Sequence, residues 1–133
     1  MSKLFFILTI CAALSTGCPP AEPPYIEISH TQISAEYAYA MINKLDDFVL
    51  LDVRTYDEFR ARRIDGSILI PYSELASRAS AELSEKNAVI LVYCQSGRRS
   101  AIAARTLAEL GYTNVYDFGG IADWAFGVVS AYD

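Results

Sequence analysis

The sequence has little cysteine and little histidine: its three cysteines are Cys11, Cys18 and Cys94, and its one histidine is His30. Cys11 and Cys18 lie within or beside an N-terminal segment with the features of an export signal, so the predicted globular domain contains Cys94 alone. A disulfide framework is therefore excluded for that domain. A single histidine disfavours mechanisms that need an imidazole base. Since no cluster of metal-ligating residues occurs in the sequence, neither a metal nor a cofactor is expected.

The chain also has fewer positively than negatively charged residues. The chain has 11 Lys and Arg residues against 16 Asp and Glu, which gives a formal net charge of −5 at pH 7. A general affinity for nucleic acid or for anionic lipid is therefore not expected. The arginines nevertheless cluster at positions 60, 62 and 63 and again at 98 and 99, which allows a local positive site on an acidic protein.

The N-terminal apolar run is too short to span a bilayer. It covers residues 4–14, whereas a membrane-spanning helix needs about 20 apolar residues. Lys3 precedes the run and small residues follow it, which is the layout of an export signal. The segment resembles bacterial lipoprotein signals, in which cleavage precedes a cysteine that carries the lipid. Gly17 and Cys18 fit that pattern, while Ser15 stands where leucine is usual. An exported, periplasmic lipoprotein, lipidated at Cys18 and anchored to a membrane, is expected.

Three segments follow from this interpretation of the N-terminus. Residues 1–17 are predicted to be the signal peptide, and residues 18–24 a linker that contains the proline-rich sequence PPAEPP. Proline-rich chain is extended and acts as a semi-rigid spacer between an anchor and a domain. Residues 25–133 are predicted to form one domain, which is long enough to bury a stable core.

Short apolar runs alternate with helical patterns in this domain, which is typical of an α/β fold. Phe48–Val53 and Ala88–Tyr93 are almost continuously apolar, as expected of central strands covered on both faces. Further strands are predicted near Tyr25, at Ser67–Pro71 and at Asn114–Phe118. Helices are predicted after the N-cap Ser34 and over Tyr56–Arg62, Ser73–Leu83 and Ser100–Leu110. The predicted fold class is α/β, with an open, mainly parallel central sheet and helices on both faces.

Cys94 follows one of the predicted central strands directly, in the stretch VYCQSGRRS. Ligands of open α/β sheets bind beyond the carboxyl ends of the strands, which is where this cysteine is expected. A helix N-terminus and nearby guanidinium groups both favour negative charge, so they lower the pKa of a thiol. Gly97 allows a loop whose N–H groups surround a single atom. Together these features predict a nucleophilic thiolate at Cys94.

The stretch CQSGRRS resembles the active-site loop of rhodanese-domain sulfurtransferases, whose pattern is Cys, two residues, Gly, one residue, Arg, Ser. Four residues match this pattern one by one: Cys94, Gly97, Arg99 and Ser100. Other similar motifs are LLDVR at Leu50–Arg54, EF at Glu58 and Phe59, and a GG pair followed by Trp124. The family's common GHIPGA is replaced by RRIDGS at residues 62–67, so the usual histidine and proline are missing.

The resemblance implies a two-step sulfur transfer through Cys94. The cysteine takes a sulfane sulfur from thiosulfate or a persulfide and passes it to a thiol or cyanide. The implied partners are a small sulfur-donor anion, a thiol acceptor, and a protein sulfur carrier or reductase. The loop residues expected to bind the substrate are Gln95, Ser96, Gly97, Arg98, Arg99 and Ser100. Arg98 is expected to face the donor and Arg99 the loop or sheet, or the reverse; Asp52 and Arg54 are expected to support the site.

Two other functions remain open at this point. Phosphatases and arsenate reductases of this fold also use a cysteine loop with an arginine, but their loop is one residue longer than the six residues from Cys94 to Arg99. The other alternative is a membrane-tethered rhodanese-like module that binds a partner or senses oxidants. Many modules of that kind lack the cysteine that this chain keeps, although an exposed thiol of low pKa also oxidises readily.

Overall fold

The computed structural model describes residues 17, 19–21 and 29–132, and these contain one sheet of five parallel strands. The strands are β1 (Thr31–Gln32), β2 (Val49–Asp52), β3 (Ile68–Leu69), β4 (Val89–Cys94) and β5 (Asn114–Gly120). Their spatial order is β1-β5-β4-β2-β3, which places β4 in the middle. Because every pair is parallel, the carboxyl ends of all five strands lie at one edge of the sheet.

Helices connect the strands. They are α1 (Ala35–Lys44), α2 (Tyr56–Ala61), α3 (Leu75–Glu82) and α4 (Arg98–Glu109), and a 3₁₀ turn covers Ile121–Asp123. Side-chain caps begin the first two helices. The hydroxyl of Ser34 accepts a hydrogen bond from the N–H of Tyr37 at 3.1 Å, and Thr55 and Glu58 form a capping box at α2. A cap of this kind stabilises a helix by about 1 kcal/mol, because it satisfies an N–H group that the helix leaves unpaired.

The side chains of β4 alternate between two apolar layers. Ile90 and Val92 belong to the layer under α3 and α4, whereas Leu91 and Tyr93 belong to the layer under α1. All four are fully buried, and full burial of an aliphatic side chain stabilises the fold by about 1.5–3 kcal/mol. The strand therefore holds Cys94, its last residue, in a fixed position. The predicted fold class, a parallel sheet with helices on both faces, is confirmed.

Several element boundaries differ from the sequence-based expectation, and β1 and α4 differ most for the description of the fold and the site. The described edge strand β1 was not expected, because its two residues are both exposed and carry no apolar pattern. Helix α4 begins at Arg98 rather than near Ser100, because Gly97 adopts φ +99° and serves as its N-cap. Arg98 and Arg99 are therefore helical residues and not loop residues.

Most of the N-terminal predictions concern residues outside the described part of the chain. Outside it lie Cys18 and the apolar segment of the expected signal. The strand expected near Tyr25 also lies outside it, except for its last residue, Ser29. Where the chain is described, no helix combines the length and the hydropathy that crossing a membrane requires.

Candidate active site

Cys94 ends β4 at the carboxyl edge of the sheet, and a tight turn connects it to α4. Its side chain is buried, and its Sγ accepts a hydrogen bond from the N–H of Gly97 at 3.0 Å. At φ +99°, Gly97 lies in the left-handed region that favours glycine. A Cβ built there would come no closer than 3.5 Å to the Cα of Gly119, so conformation rather than lack of space calls for glycine. The turn folds the loop back over the sulfur.

The surroundings of Cys94 lower the pKa of its thiol. Burial by itself raises this pKa, but hydrogen bonds from Ser100 and from the N–H groups of Gly97 and Ser96 outweigh the burial. No side chain caps the N-terminus of α4, so its N–H groups remain available to the sulfur. The site therefore favours the thiolate, which is the nucleophilic form of cysteine.

The end of β5 and the turn after it pack against the loop. A Cβ on Gly120 would lie 2.3 Å from the carbonyl oxygen of Gln95, so only glycine fits at this close approach of two backbones. The same carbonyl accepts a hydrogen bond from the N–H of Ala122 at 3.3 Å. The hydroxyl of Ser100 lies 3.0 Å from the carbonyl oxygen of Gly97 and 3.3 Å from that of Gly119. The sequence offered the glycine pair only as part of a family-like motif; the fold shows that the pair packs against the loop itself.

Arg99 is held by Glu58 of α2. Its Nη1 and Nη2 each donate to one carboxylate oxygen of Glu58, both at 2.8 Å. Glu58 also accepts from the N–H of Thr55 at 2.9 Å. The hydrogen bond from Arg99 lowers the pKa of Glu58, burial raises it, and the bonds from Thr55 lower it further. The result is a pKa of about 2. Glu58 was not predicted as a site residue; the capping-box spacing of Thr55 and Glu58 marks a helix start but not the partner across the site.

Asp52 and Arg54 form a buried ion pair at the carboxyl end of β2. The Nε and Nη2 of Arg54 donate to the carboxylate, with a shortest distance of 2.7 Å, and both side chains are almost fully buried. Nη2 also donates to the carbonyl of Arg62, and Nη1 lies 3.4 Å from the Oε1 of Gln95. The pair thus connects β2, the segment after α2 and the loop, without touching the sulfur of Cys94.

The predicted site residues of the domain come together at one edge of the sheet. Gln95, Ser96 and Arg98 are exposed, and Arg98 forms no ion pair with any described residue. No group of His, Cys, Asp and Glu among the described residues is placed to hold a metal ion. The arrangement is chemically suited to a thiolate that reacts with an anion held by N–H groups.

A family comparison assigns this architecture and its cysteine loop. The family model of the rhodanese-like domain matches residues 34–126. The chain belongs to the rhodanese-like domain family. The matched part of this rhodanese-like domain includes β2 to β5, the loop at Cys94 and the supporting glycine pair. Strand β1 lies outside it.

Relatives with sulfur-transfer names support a sulfurtransferase. Over 75 residues, this rhodanese-like domain is 37% identical to thiosulfate sulfurtransferase PspE of Escherichia coli strain K12, with 56% of this chain and 72% of PspE covered. It is 35% identical over 94 residues to the putative sulfur carrier protein YrkF of Bacillus subtilis strain 168. That match covers 70% of this chain and 50% of YrkF. A solved structure of a rhodanese with anions from E. coli is 35% identical to this chain, with a TM-score of 0.58. The match covers 62% of this chain and 96% of the E. coli chain.

Proposed function

We propose that this rhodanese-like domain transfers a sulfane sulfur from thiosulfate or a persulfide to a thiol or cyanide, through a persulfide on Cys94. The observation that carries the proposal is the position of the Cys94 sulfur. It lies beyond the carboxyl end of a central strand and accepts a hydrogen bond from the N–H of Gly97, and its pKa is lowered by bonds from the start of α4.

In the first step, the Sγ thiolate attacks the outer sulfur of the donor. With thiosulfate, a bond forms between Sγ and that sulfur, the S–S bond of thiosulfate breaks, and sulfite leaves with the bonding electron pair. The outer sulfur of the new persulfide carries the negative charge. The N–H groups of the loop and the positive end of α4 stabilise that charge.

In the second step, the acceptor attacks the outer sulfur of the persulfide. A bond forms between the acceptor atom and that sulfur, the bond to Sγ breaks, and Cys94 is released as a thiolate. No external oxidant or reductant enters either step. Cyanide gives thiocyanate in this way, and a thiolate gives a new persulfide.

We assign donor binding to Arg98 rather than to Arg99. Arg98 is exposed and has no ion pair among the described residues, whereas both Nη atoms of Arg99 donate to Glu58. A free cation beside the loop raises the local concentration of a small dianion such as thiosulfate. The E. coli relative described as a rhodanese with anions is in keeping with this assignment.

A redox-sensing module is the second candidate, because a thiol of lowered pKa is also the form that oxidises. A sensor would form sulfenic acid or a mixed disulfide at Cys94 and pass no sulfur to cyanide. Phosphatase activity is disfavoured by the six residues from Cys94 to Arg99. Hydrolysis of an aryl phosphate that depends on Cys94 would reverse that judgement.

Thiocyanate production by the full chain from thiosulfate and cyanide tests the proposed function. Cys94→Ser is expected to reduce the rate to that of the uncatalysed reaction, whereas Cys11→Ser, the matched control, keeps the full rate. A Cys94→Ser protein with unchanged turnover, or an inactive wild-type chain whose Cys94 oxidises reversibly, contradicts the proposal.

We also propose that the chain is exported to the periplasm and is anchored to a membrane by a lipid on Cys18. The support is the sequence of the N-terminal segment, in which an apolar run ends at Gly17 and Cys18, followed by the proline-rich linker. Metabolic labelling with a palmitate analogue is expected to label the wild-type chain and not Cys18→Ser. Equal labelling of both proteins, or of neither, contradicts the anchor.

A further inference from the structure

The two ion pairs of the site differ in their exposure to solvent. The side chains of Asp52 and Arg54 are 0% and 2% exposed, so a dissolved donor does not reach them. The side chains of Glu58 and Arg99 are 32% and 19% exposed. A small dissolved anion can therefore approach the Glu58–Arg99 pair but not the buried pair.

Arg99 is close enough to the reactive sulfur for its charge to act there. It is the second residue of α4, and the next residue, Ser100, donates hydrogen bonds to the sulfur of Cys94. The guanidinium of Arg99 also interacts electrostatically with Cys94. A donor whose outer sulfur reaches Cys94 therefore comes within range of the charge of Arg99.

Glu58 compensates the charge of Arg99. Each of its carboxylate oxygens accepts a hydrogen bond from one Nη atom of Arg99, at 2.8 Å. A bidentate pair of this kind fixes the direction of the guanidinium as well as offsetting its charge. The pKa of Glu58 is about 2, so its carboxylate stays ionised at neutral pH. Of the two arginines that begin α4, only Arg98 has no ion pair with a described residue.

We propose that Glu58 is a positioning residue that sets the charge preference of the site among sulfur donors. By holding Arg99, Glu58 leaves a single uncompensated guanidinium at the start of α4, that of Arg98. This arrangement shifts the selectivity of the site away from the dianion thiosulfate and towards donors with one negative charge, such as alkyl persulfides and thiosulfonates. The proposal rests on the proposed sulfur transfer and names the class of its donor.

The charge of a donor determines how strongly it responds to Arg99. Without the carboxylate of Glu58, a second uncompensated positive charge lies at the start of α4. The Coulomb energy of a donor in that field is proportional to the donor's own charge, so a dianion gains twice the free energy that a monoanion gains. A gain of about threefold for a singly charged donor therefore corresponds to a gain of about ninefold for thiosulfate.

Both classes of donor load Cys94 by the same chemistry. The Sγ thiolate attacks the outer sulfur of a thiosulfonate such as methanethiosulfonate, a bond forms between Sγ and that sulfur, and the S–S bond of the donor breaks. Methanesulfinate leaves with the bonding electron pair, as sulfite does from thiosulfate. The step needs no external oxidant or reductant, and Glu58 and Arg99 take no part in bond making.

The test uses thiosulfate and methanethiosulfonate, two donors that differ by one charge. Thiocyanate formation by the full chain at low salt gives kcat/KM for each donor, and the quantity compared is the ratio of the thiosulfate value to the methanethiosulfonate value. Both donors react with the same thiolate, so this ratio cancels the ionised fraction of Cys94 and the folded fraction of the protein. A purely structural role of Glu58 would leave the ratio unchanged.

Glu58→Gln is expected to raise the ratio about threefold, because it keeps a hydrogen-bonding cap on α2 and frees Arg99. Adding Arg99→Gln to Glu58→Gln is expected to return the ratio to within about 1.5-fold of the wild-type value, since no second free cation remains.

Asp57→Asn is the matched control. Asp57 is exposed, precedes Glu58 in the first turn of α2, and forms no ion pair with a described residue. The substitution removes the same charge from the same helix but frees no arginine. Its ratio is expected to stay within about 1.5-fold of the wild-type value.

An unchanged or lower ratio in Glu58→Gln contradicts the proposal. An equal rise in Asp57→Asn, or a rise that survives the added Arg99→Gln, contradicts it as well. In each of these cases sulfur transfer through Cys94 stands. A wild-type chain that forms thiocyanate from neither donor contradicts the proposed function instead, and the donor preference fails with it.

Discussion

At the scale of single residues, hydrogen-bond donors at the start of α4 lower the pKa of Cys94. These donors are the N–H and hydroxyl of Ser100 and the N–H groups of Gly97 and Ser96. Arg99, whose guanidinium is bound to Glu58, also interacts electrostatically with Cys94. These interactions stabilise the ionised form of the Cys94 nucleophile, so the site needs no imidazole base.

Sulfur loading of Cys94 is therefore expected to depend on pH with a midpoint below the ordinary pKa of a cysteine thiol. The thiolate reacts, and the hydrogen bonds to sulfur lower the folded-state pKa, so the rate reaches its plateau at a lower pH than for a free thiol. Loading rates by thiosulfate, measured from pH 5 to pH 9.5, give the midpoint. A midpoint at or above the ordinary value contradicts the account of the thiol.

Gly120→Ala is expected to impair sulfur transfer through the loop. Its Cβ would lie 2.3 Å from the carbonyl oxygen of Gln95, a backbone atom that cannot rotate away. We expect a loss of about 1–3 kcal/mol in the free energy of unfolding, together with at least a tenfold lower rate of thiocyanate formation. Denaturant unfolding and the cyanide assay measure the two effects.

Gly111→Ala is the control for Gly120→Ala. Gly111 also resists substitution, since its φ is +92°, but nothing lies within 4 Å of its Cβ position and it follows α4 at the far edge of the sheet. The Gly111→Ala substitution is expected to lower the free energy of unfolding by about 1–2 kcal/mol, with little change in turnover of the folded protein. Equal loss of turnover in both variants would mean that the close approach at Gly120 has no specific effect on the loop.

At the scale of elements, the site is an assembly of β2, α2, β4 and α4 held by two ion pairs. Asp52 and Arg54 connect β2 to the loop, and Glu58 and Arg99 connect α2 to α4. Helix α2 buries no residue completely, so its position depends on these polar contacts more than on apolar packing.

Glu58→Gln is expected to lower the free energy of unfolding at pH 7 by about 1 kcal/mol, because it removes the charge from a bidentate pair while it keeps a hydrogen-bonding cap. The pKa of Glu58 is about 2 when folded and about 4.3 when unfolded. The contribution of the charge is therefore fully present above about pH 5 and is lost as the pH falls towards 2. Denaturant unfolding of both proteins at pH 7 and pH 3 measures the difference.

The difference between wild type and Glu58→Gln is thus expected to shrink from pH 7 to pH 3. Glu109→Gln breaks an exposed pair with Arg105 and serves as the control, with an expected change below about 0.5 kcal/mol at pH 7. A difference between wild type and Glu58→Gln that does not change with pH would mean that the carboxylate charge at Glu58 contributes nothing.

At the scale of the whole molecule, the sequence was informative where the chain is buried on both faces. The continuous apolar runs predicted β2 and β4, and the change from strand to helix pattern placed Cys94 at the carboxyl edge of the sheet. The ion pair of Glu58 with Arg99 could not be predicted in this way, because it joins residues 41 positions apart and leaves no periodic pattern. The close approach of Gly120 to Gln95 depends likewise on the packing of β5 beside β4.

The charge of the molecule is unevenly distributed. A net charge of −5 predicts no general attraction for nucleic acid, yet Arg98 at the start of α4 is exposed and forms no ion pair with a described residue. The sequence indicated that arginines cluster, and the structure gives two neighbours different surroundings: Arg99 is bound to Glu58 of α2, whereas Arg98 is not. The charge of Arg98 attracts a small anion to the loop at Cys94.

Intact mass spectrometry of the full chain before and after thiosulfate tests the central claim most directly, with Cys94→Ser measured in parallel. The account predicts that wild type gains the mass of one sulfur atom and loses it again with cyanide. Cys94→Ser, which retains Cys11 and Cys18, gains none. A wild-type chain that gains no sulfur, or a Cys94→Ser chain that gains as much, would contradict the assignment of Cys94 as the sulfur carrier.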